Sequence, residues 1–268
     1  MRKMKKVISA FLTFALLFTM VGCSGEGSAQ AGTSRLQKIL DAGTLRVGMI
    51  PDNPGWSTMD ANGNWTGYDA DIAKMMAEAL GVKIEYVVTD GAGRIPLIQT
   101  DKVDIVISCF AATNERAKTV GLSDPYAASG LLPICRKGEV LASWEDMADK
   151  KIAVARGSTI DIFATEAYPN AEIMRFDSIA DAFMALKSKK ADVMIEEDTA
   201  IYDLSKNNPN DVEIMAVEPR AASLVCMGFA PDDQVWINFV NKFIEISRKS
   251  GKLDEFYQNN FNKELPNF

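Results

Sequence analysis

Short β-prone runs alternate with amphipathic helical stretches twice along this chain. Residues 45–50, 83–89, 104–110, 151–156 and 192–195 are rich in β-branched and apolar side chains. Between 71 and 80, Ile72, Met75, Met76, Ala79 and Leu80 follow i, i+3, i+4, i+7, i+8 spacing, and Gly81 stands where a left-handed helix end needs glycine. A helix packed on a sheet is predicted there. Ile179, Ala182, Phe183 and Leu186 repeat the spacing, with Ser178 placed to cap the first turn and lysines in the last. Trp236, Phe239, Val240, Phe243 and Ile244 give a further helix that ends near Gly251. Strands alternating with helices predict an α/β protein with mainly parallel sheets. The two strand–helix–strand units, 45–110 and 151–195, predict two lobes, and strand-like runs near 123–138 and 223–230 supply two extended crossings between them. Ligands in such architectures sit beyond the carboxyl ends of strands, in the cleft between lobes.

Composition narrows the function. The chain has 268 residues, 47% hydrophobic and 24% charged, within the range of ordinary globular proteins. Its 29 basic residues against 36 acidic ones leave a net charge of −7, so no basic surplus exists for nucleic-acid phosphates. It contains no histidine, which removes imidazole acid–base chemistry, Ser-His-Asp and Cys-His nucleophile systems, and histidine-based metal sites. Cys109, Cys135 and Cys226 lie in apolar runs without CxxC spacing, so a metal framework is disfavoured and neither metal nor cofactor is expected. They read as small buried hydrophobes or as one disulfide plus a free thiol, and spacing does not choose the pair.

The N-terminus reads as a targeting segment. Arg2, Lys3, Lys5 and Lys6 precede an apolar run over 7–21, too short for a comfortable membrane span, and Gly22 and Cys23 follow at once. This resembles a bacterial lipoprotein signal over 1–22, with Cys23 lipidated after cleavage and 23–34 a polar tether. A plain secretory signal with an incidental cysteine is the alternative. Removing 1–22 takes away four positive charges and no negative ones, so −7 becomes −11.

The stretch Leu45-Arg46-Val47-Gly48, then Asn62-Gly63-Asn64-Trp65-Thr66-Gly67-Tyr68-Asp69-Ala70-Asp71-Ile72-Ala73, resembles the opening of the family 3 extracellular solute-binding proteins. The similarity continues in order through Ile95-Pro96-Leu97-Ile98, Lys102-Val103-Asp104, Thr113-Asn114-Glu115-Arg116, Leu122-Ser123-Asp124-Pro125-Tyr126, Gly157-Ser158-Thr159 and Ala191-Asp192-Val193, covering roughly 35–262. The resemblance implies a two-lobed periplasmic-binding-protein-like fold that captures an amino acid and hands it to an ABC transporter permease. It implies no catalysis and is consistent with a monomer. Lobe 1 would comprise 35–130 and 225–268, lobe 2 would comprise 131–224, and a two-strand hinge would flex near 126–131 and 223–227.

By that resemblance Arg116 grips the ligand α-carboxylate with its forked guanidinium, and Asp198 takes the α-ammonium. Glu196 and Glu197 beside Asp198 leave that match open by one place. Ser158 and Thr159, after a strand and opening a helix, suit the same carboxylate, and Cys109 and Ala111 lie on the segment that offers backbone groups. Two departures stand out. Ala111 replaces a hydroxyl residue common at its position, and Gly91 replaces an aromatic one. Trp56 is a candidate replacement lid, or a partly buried surface tryptophan. Arg94 and Arg156 are candidates for reading an acidic side chain, or plain surface charges. A cyclohexadienyl dehydratase-like enzyme on the same fold is the second reading; its catalytic Glu position is Ile201 here. A ligand-sensing domain is the third.

Overall fold

The computed structural model describes residues 33–139 and 141–267. The signal 1–22, Cys23 and the tether as far as residue 32 lie outside the described residues. Helix α1 (Arg35–Ala42) is capped by the Ser34 hydroxyl and leads into β1 (Thr44–Met49). A small meander of β2 (Asp52–Asn53), β3 (Ser57–Met59) and β4 (Trp65–Thr66) precedes α2 (Tyr68–Leu80), β5 (Lys83–Val88), α3 (Arg94–Gln99) and β6 (Ile105–Ala111). Then come α4 (Asn114–Ala117), β7 (Gly121–Leu122), the long strand β8 (Ala127–Arg136), β9 (Lys151–Ala155), α5 (Thr159–Ala167) and β10 (Glu172–Phe176). The chain continues through α6 (Ile179–Lys187), β11 (Val193–Glu197), α7 (Asp198–Asn207), β12 (Val212–Ile214), the long strand β13 (Arg220–Phe229), α8 (Gln234–Lys249) and α9 (Lys252–Phe261).

One curled sheet runs through both lobes in the order β10-β9-β11-β8-β13-β6-β1-β5. At one end β1 pairs in parallel with β5 and β6; at the other, β9 pairs in parallel with β10 and β11. The long strands β8 and β13 run antiparallel to each other and to their outer neighbours, β11 and β6. They are the two crossings. Both parallel sets lie between helices, as right-handed strand–helix–strand connections require. Every residue of β6 is buried, which explains why its sequence is a continuous apolar run rather than an alternation.

The apolar clusters follow the same division. One gathers Leu45, Val47, Met49, Ile72, Met76 and Ile107 with Met227, Trp236, Val240 and Tyr257. On the far side of β8 and β13, Ile152, Val154, Ile160 and Ile195 form a cluster on one sheet face, and Ile134, Phe183, Leu186, Met194 and Ile201 form another on the opposite face. Each such side chain contributes about 1.5–3 kcal/mol by leaving water.

Three helix predictions meet the structure closely. Gly81 ends α2 at φ 69°, Ser178 caps α6 by accepting from Asp181 N–H, and Asp233 caps α8. The start of α2 is three residues earlier than the apolar spacing marks. Gly67, at φ 115°, turns the chain into the helix with its Cα against the backbone of Trp56, where a Cβ would lie 2.4 Å from the carbonyl oxygen. Cys109, Cys135 and Cys226 are buried and free, so they pack as small apolar side chains and the disulfide alternative falls.

Candidate functional site

A small cavity of about 30 Å³ lies where the two lobes meet. Ile50, Asp52, Asn53, Gly91, Arg94 and Cys109 line it from one side, and Ala155, Ser158, Asp177, Ser178, Ile179, Glu196 and Glu197 from the other. These residues come from the carboxyl ends of β1, β5, β6, β9, β10 and β11 and the segments after them, where parallel α/β sheets present side chains to ligands. The volume holds a water or two and no amino acid.

The walls touch around this cavity. Trp56 Nε1 donates to Thr199 Oγ1 at 2.7 Å, and Ala180 N–H, in the first turn of α6, donates to Asp52 at 3.0 Å. Lys263 Nζ lies 3.8 Å from Asp198 and over the Tyr202 ring. A Cβ on Gly91 would stand 2.7 Å from the Arg156 carbonyl oxygen. The lobes are therefore closed on each other. An aromatic side chain at Gly91 has no room in this arrangement.

Two buried arginines share the Phe110 ring, Arg94 lining the cavity and Arg116 outside its lining. Arg116 sits on α4, whose Thr113 cap accepts the Arg116 N–H at 3.1 Å. Its guanidinium is only 7% exposed, donates to the Ala111 carbonyl at 2.7 Å, and lies 4.3 Å from the centre of the Phe110 ring. Arg94 opens α3, donates Nη1 to the Ser108 carbonyl and Nε to the Gly91 carbonyl, and approaches the same ring at 5.2 Å. Neither makes an ion pair with a described residue. Burial, with Arg94 nearby, pulls Arg116 down to about 9, which still leaves it charged at neutral pH. Burial also lowers Arg94. A buried cation without a carboxylate is costly unless an anion arrives.

The acidic half is the end of β11. Glu196 is 1% exposed and Glu197 8%. Glu196 Oε1 accepts the Glu197 N–H at 3.1 Å, while its Oε2 is buried without a hydrogen-bond partner. Burial first, and the adjacent Glu197 second, push Glu196 well above the usual carboxyl range. Asp198 faces elsewhere. Its carboxylate accepts from Ser129 Oγ and its neighbour Thr199 N–H, reaches toward Lys263, and does not line the cavity.

The remaining candidates divide. Cys109 lines the cavity at φ 40°, with its N–H held by Asp69 at 2.7 Å, and Ala111 is buried with its carbonyl on Arg116. Ser158 lines the cavity and caps α5, its hydroxyl donating to Ala155 and accepting from Asp161 N–H, so its side chain is already engaged. Thr159 is the first residue of α5 and does not line the cavity. Trp56 is fully buried among Tyr68 and Phe261, a core residue with one bond across the lobes. Arg156 points outward, 52% exposed and paired with Asp177, so it is a surface charge. Ile201 is buried in an apolar cluster.

Residues 45–263 match the profile of the bacterial extracellular solute-binding proteins, family 3. The chain belongs to that family. The solute-binding protein is 26% identical to the ABC transporter glutamine-binding protein GlnH of Bacillus subtilis, across 95% of this chain and 97% of that one. It is 27% identical to cyclohexadienyl dehydratase of Pseudomonas aeruginosa, across 94% of this chain and 92% of the relative. Among solved structures, an ancestral amino acid-binding protein described as a precursor of cyclohexadienyl dehydratase superposes with a TM-score of 0.80 at 35% identity, covering 85% of this chain and all of the other. The family is mainly non-enzymatic and extracytoplasmic, and among the described residues no helix of the solute-binding protein is long and apolar enough to cross a membrane.

One buried residue of the solute-binding protein escaped the sequence reading. Asp69, in the first turn of α2, accepts from Cys109 N–H and from Tyr126 hydroxyl at 2.6 Å. Burial raises it to about 7 against those two bonds. The Gly67-Tyr68-Asp69 run carried the signal, since an acid just inside a helix N-terminus after glycine has a structural reason to be there.

Proposed function

We propose that this protein captures an α-amino acid between its lobes and delivers it to an ABC transporter permease. The observation that carries the reading is a buried, unneutralised Arg116 on the same Phe110 ring as the cavity-lining Arg94: with the lobes apart Arg116 would hold the α-carboxylate, and Glu197, which lines the cavity where Arg116 and Asp198 do not, the α-ammonium. The relatives named above include amino-acid-binding proteins, which supports the same conclusion.

The lobes would be 35–130 with 225–268, and 131–224, which agrees with the grouping of the apolar clusters. They would open by flexing β8 and β13 where these pair, near 126–131 and 223–227. Because 30 Å³ admits no amino acid, the ligand enters with the lobes apart and favours closure by touching both. Signal cleavage before Cys23 would leave the protein lipid-anchored as a monomer at the outer face of the cytoplasmic membrane.

The test is a thermal shift of the full chain against a panel of amino acids. A ligand at 100 times its Kd adds about 2.7 kcal/mol, roughly 5–10 °C for a chain of this size. No shift with any amino acid would contradict the reading.

Glu196 favours a second reading: a carboxyl buried in the cleft with Oε2 unpartnered, its pKa pushed up by that burial and by Glu197, is what a general acid requires. Consumption of prephenate or arogenate by the purified protein would establish a dehydratase. Binding of amino acids without turnover of either would remove it.

A further inference from the structure

A single peptide group joins the cavity wall to a buried acid. The Ser108 carbonyl accepts from Arg94 Nη1 at 3.0 Å, and the N–H of the same peptide, on Cys109, donates to Asp69 Oδ2 at 2.7 Å. Cys109 stands at φ 40°, a left-handed conformation that a residue with a Cβ holds only where its surroundings fix it. Asp69 Oδ1 accepts from the Tyr126 hydroxyl at 2.6 Å, while the Tyr126 carbonyl accepts from the Tyr68 hydroxyl and its N–H donates to Val225 on β13. Arg94 lines the cavity, and Asp69, fully buried, does not.

We propose that Asp69 is a positioning residue: it holds Arg94 at the cavity through the Ser108–Cys109 peptide and ties that peptide to Tyr126, at the entry to the crossing strand β8. This rests on the amino-acid reading above, since it assigns Asp69 to ligand capture without placing it against the ligand. A peptide held by a cation on its oxygen and a carboxyl on its N–H is polarised from both ends, so the two hydrogen bonds strengthen each other. Across it, Arg94 opposes the burial that raises the Asp69 pKa, and Asp69 opposes the burial that lowers that of Arg94. Turning the peptide away breaks both bonds at once.

The same kink organises the rest of that wall. The Ser108 hydroxyl accepts the N–H of Ile50, itself a cavity residue, at 2.9 Å. One position past Cys109, the Phe110 ring carries the guanidiniums of both Arg94 and Arg116, and the Ala111 carbonyl accepts from Arg116. Removing the Asp69 carboxyl leaves the Cys109 N–H and the Tyr126 hydroxyl dry and frees Cys109 to leave its left-handed conformation. Asparagine keeps both bonds, its oxygen on the Cys109 N–H and its amide donating to the Tyr126 oxygen.

NMR of the full chain without ligand reads the placement of Arg94 through its Nε–H, which donates to the Gly91 carbonyl at 3.2 Å and which Arg94→Met identifies by removing it. Asp69→Ala should move or broaden this resonance as the guanidinium is released to solvent, and Asp69→Asn should leave it as in wild type. Calorimetry with glutamine, histidine, arginine and cystine reads binding. For each probe that the wild type binds, Asp69→Ala should raise Kd about tenfold or more, and Asp69→Asn less than about threefold. In an Arg94→Met background Asp69→Ala should add less than about twofold, because its effect runs through Arg94. An Arg94 resonance unmoved by Asp69→Ala, or a Kd increase of equal size with and without Arg94, would overturn the proposal. Should Asp69→Ala fail to fold, Tyr126→Phe, which removes one donor to the carboxylate and keeps the ring, repeats both readouts. It should move the Arg94 resonance and raise Kd about threefold or more, and no change in either would overturn the proposal equally. If the wild type binds none of the four probes, the amino-acid reading fails, while the Arg94 resonance still decides what Asp69 holds in place.

Discussion

Trp56 Nε1 donates a 2.7 Å hydrogen bond to Thr199 Oγ1, 143 positions away, and joins the aromatic cluster of one lobe to the first turn of α7 in the other. The indole is fully buried, so this bond exists only while the lobes are together. Opening exposes both groups to water, and closing must pair them.

Thr199→Val keeps the side-chain volume and leaves the indole N–H dry and unpaired in the closed state alone. An unsatisfied buried donor costs about 1–3 kcal/mol, so ligand affinity should fall roughly fivefold to a hundredfold through faster release. Stopped-flow dissociation of the bound amino acid measures this directly. An unchanged release rate would mean that the bond plays no part in closure.

Gly91 tests the same closure from the other edge. A Cβ there would come within 2.7 Å of the Arg156 carbonyl, backbone that cannot swing away. Gly91→Ala should therefore weaken ligand binding about tenfold or more while leaving the melting temperature of the ligand-free protein within a few degrees. Wild-type affinity in that variant would show that the lobes close less tightly around ligand than they do here.

Asp69 gives a pH signature. Its pKa rises from 3.8 in the unfolded chain to about 7 in the buried site, so the native state binds the extra proton between those values. Stability from this group is present in full below pH 4 and is lost as pH climbs through 7. Asp69→Asn, with Oδ1 on Cys109 N–H and its amide on Tyr126, lacks that slope. Urea unfolding at pH 5 and pH 8 should show the wild type losing a few kcal/mol more than the variant. Equal losses would place the Asp69 pKa near its unfolded value.

Much of the fold is legible because burial on both faces writes itself as apolar runs. Residues 105–111 and 193–197 are such strands, and Gly81, Ser178 and Asp233 mark helix ends by conformation or capping chemistry. The short strands β2 to β4 and helix α7 carry no such pattern. The first have two or three residues each, and the second begins on acids and is mostly polar. Arg116 was reachable from its motif. Whether 196, 197 or 198 faces the cleft depends on where β11 ends and α7 begins, which spacing leaves ambiguous by one place. Trp56 and Arg94 reverse the ordinary expectation, one being core rather than lid and the other buried rather than solvated, and only packing reveals it.

That one-place ambiguity is itself testable. Glu197→Gln removes the charge facing the cavity, and a hydrogen bond to a charged group is worth about 1.5–3 kcal/mol, so binding should weaken roughly tenfold to 150-fold. Asp198→Asn, whose carboxylate answers Ser129 and Lys263 outside the cavity, should change it less than about threefold. The reverse order, read by calorimetry with the same amino acid, would reassign the ammonium to Asp198.

A buried, unneutralised Arg116 awaits a carboxylate. The most direct measurement of this compares an amino acid with its descarboxy amine, by calorimetry, on wild type and Arg116→Lys. Wild type should bind the amino acid and not the amine, and Arg116→Lys, which keeps the charge but loses the two-pronged geometry, should bind the amino acid at least about tenfold more weakly. Equal binding of amine and amino acid by the wild type, or full affinity in Arg116→Lys, would contradict it.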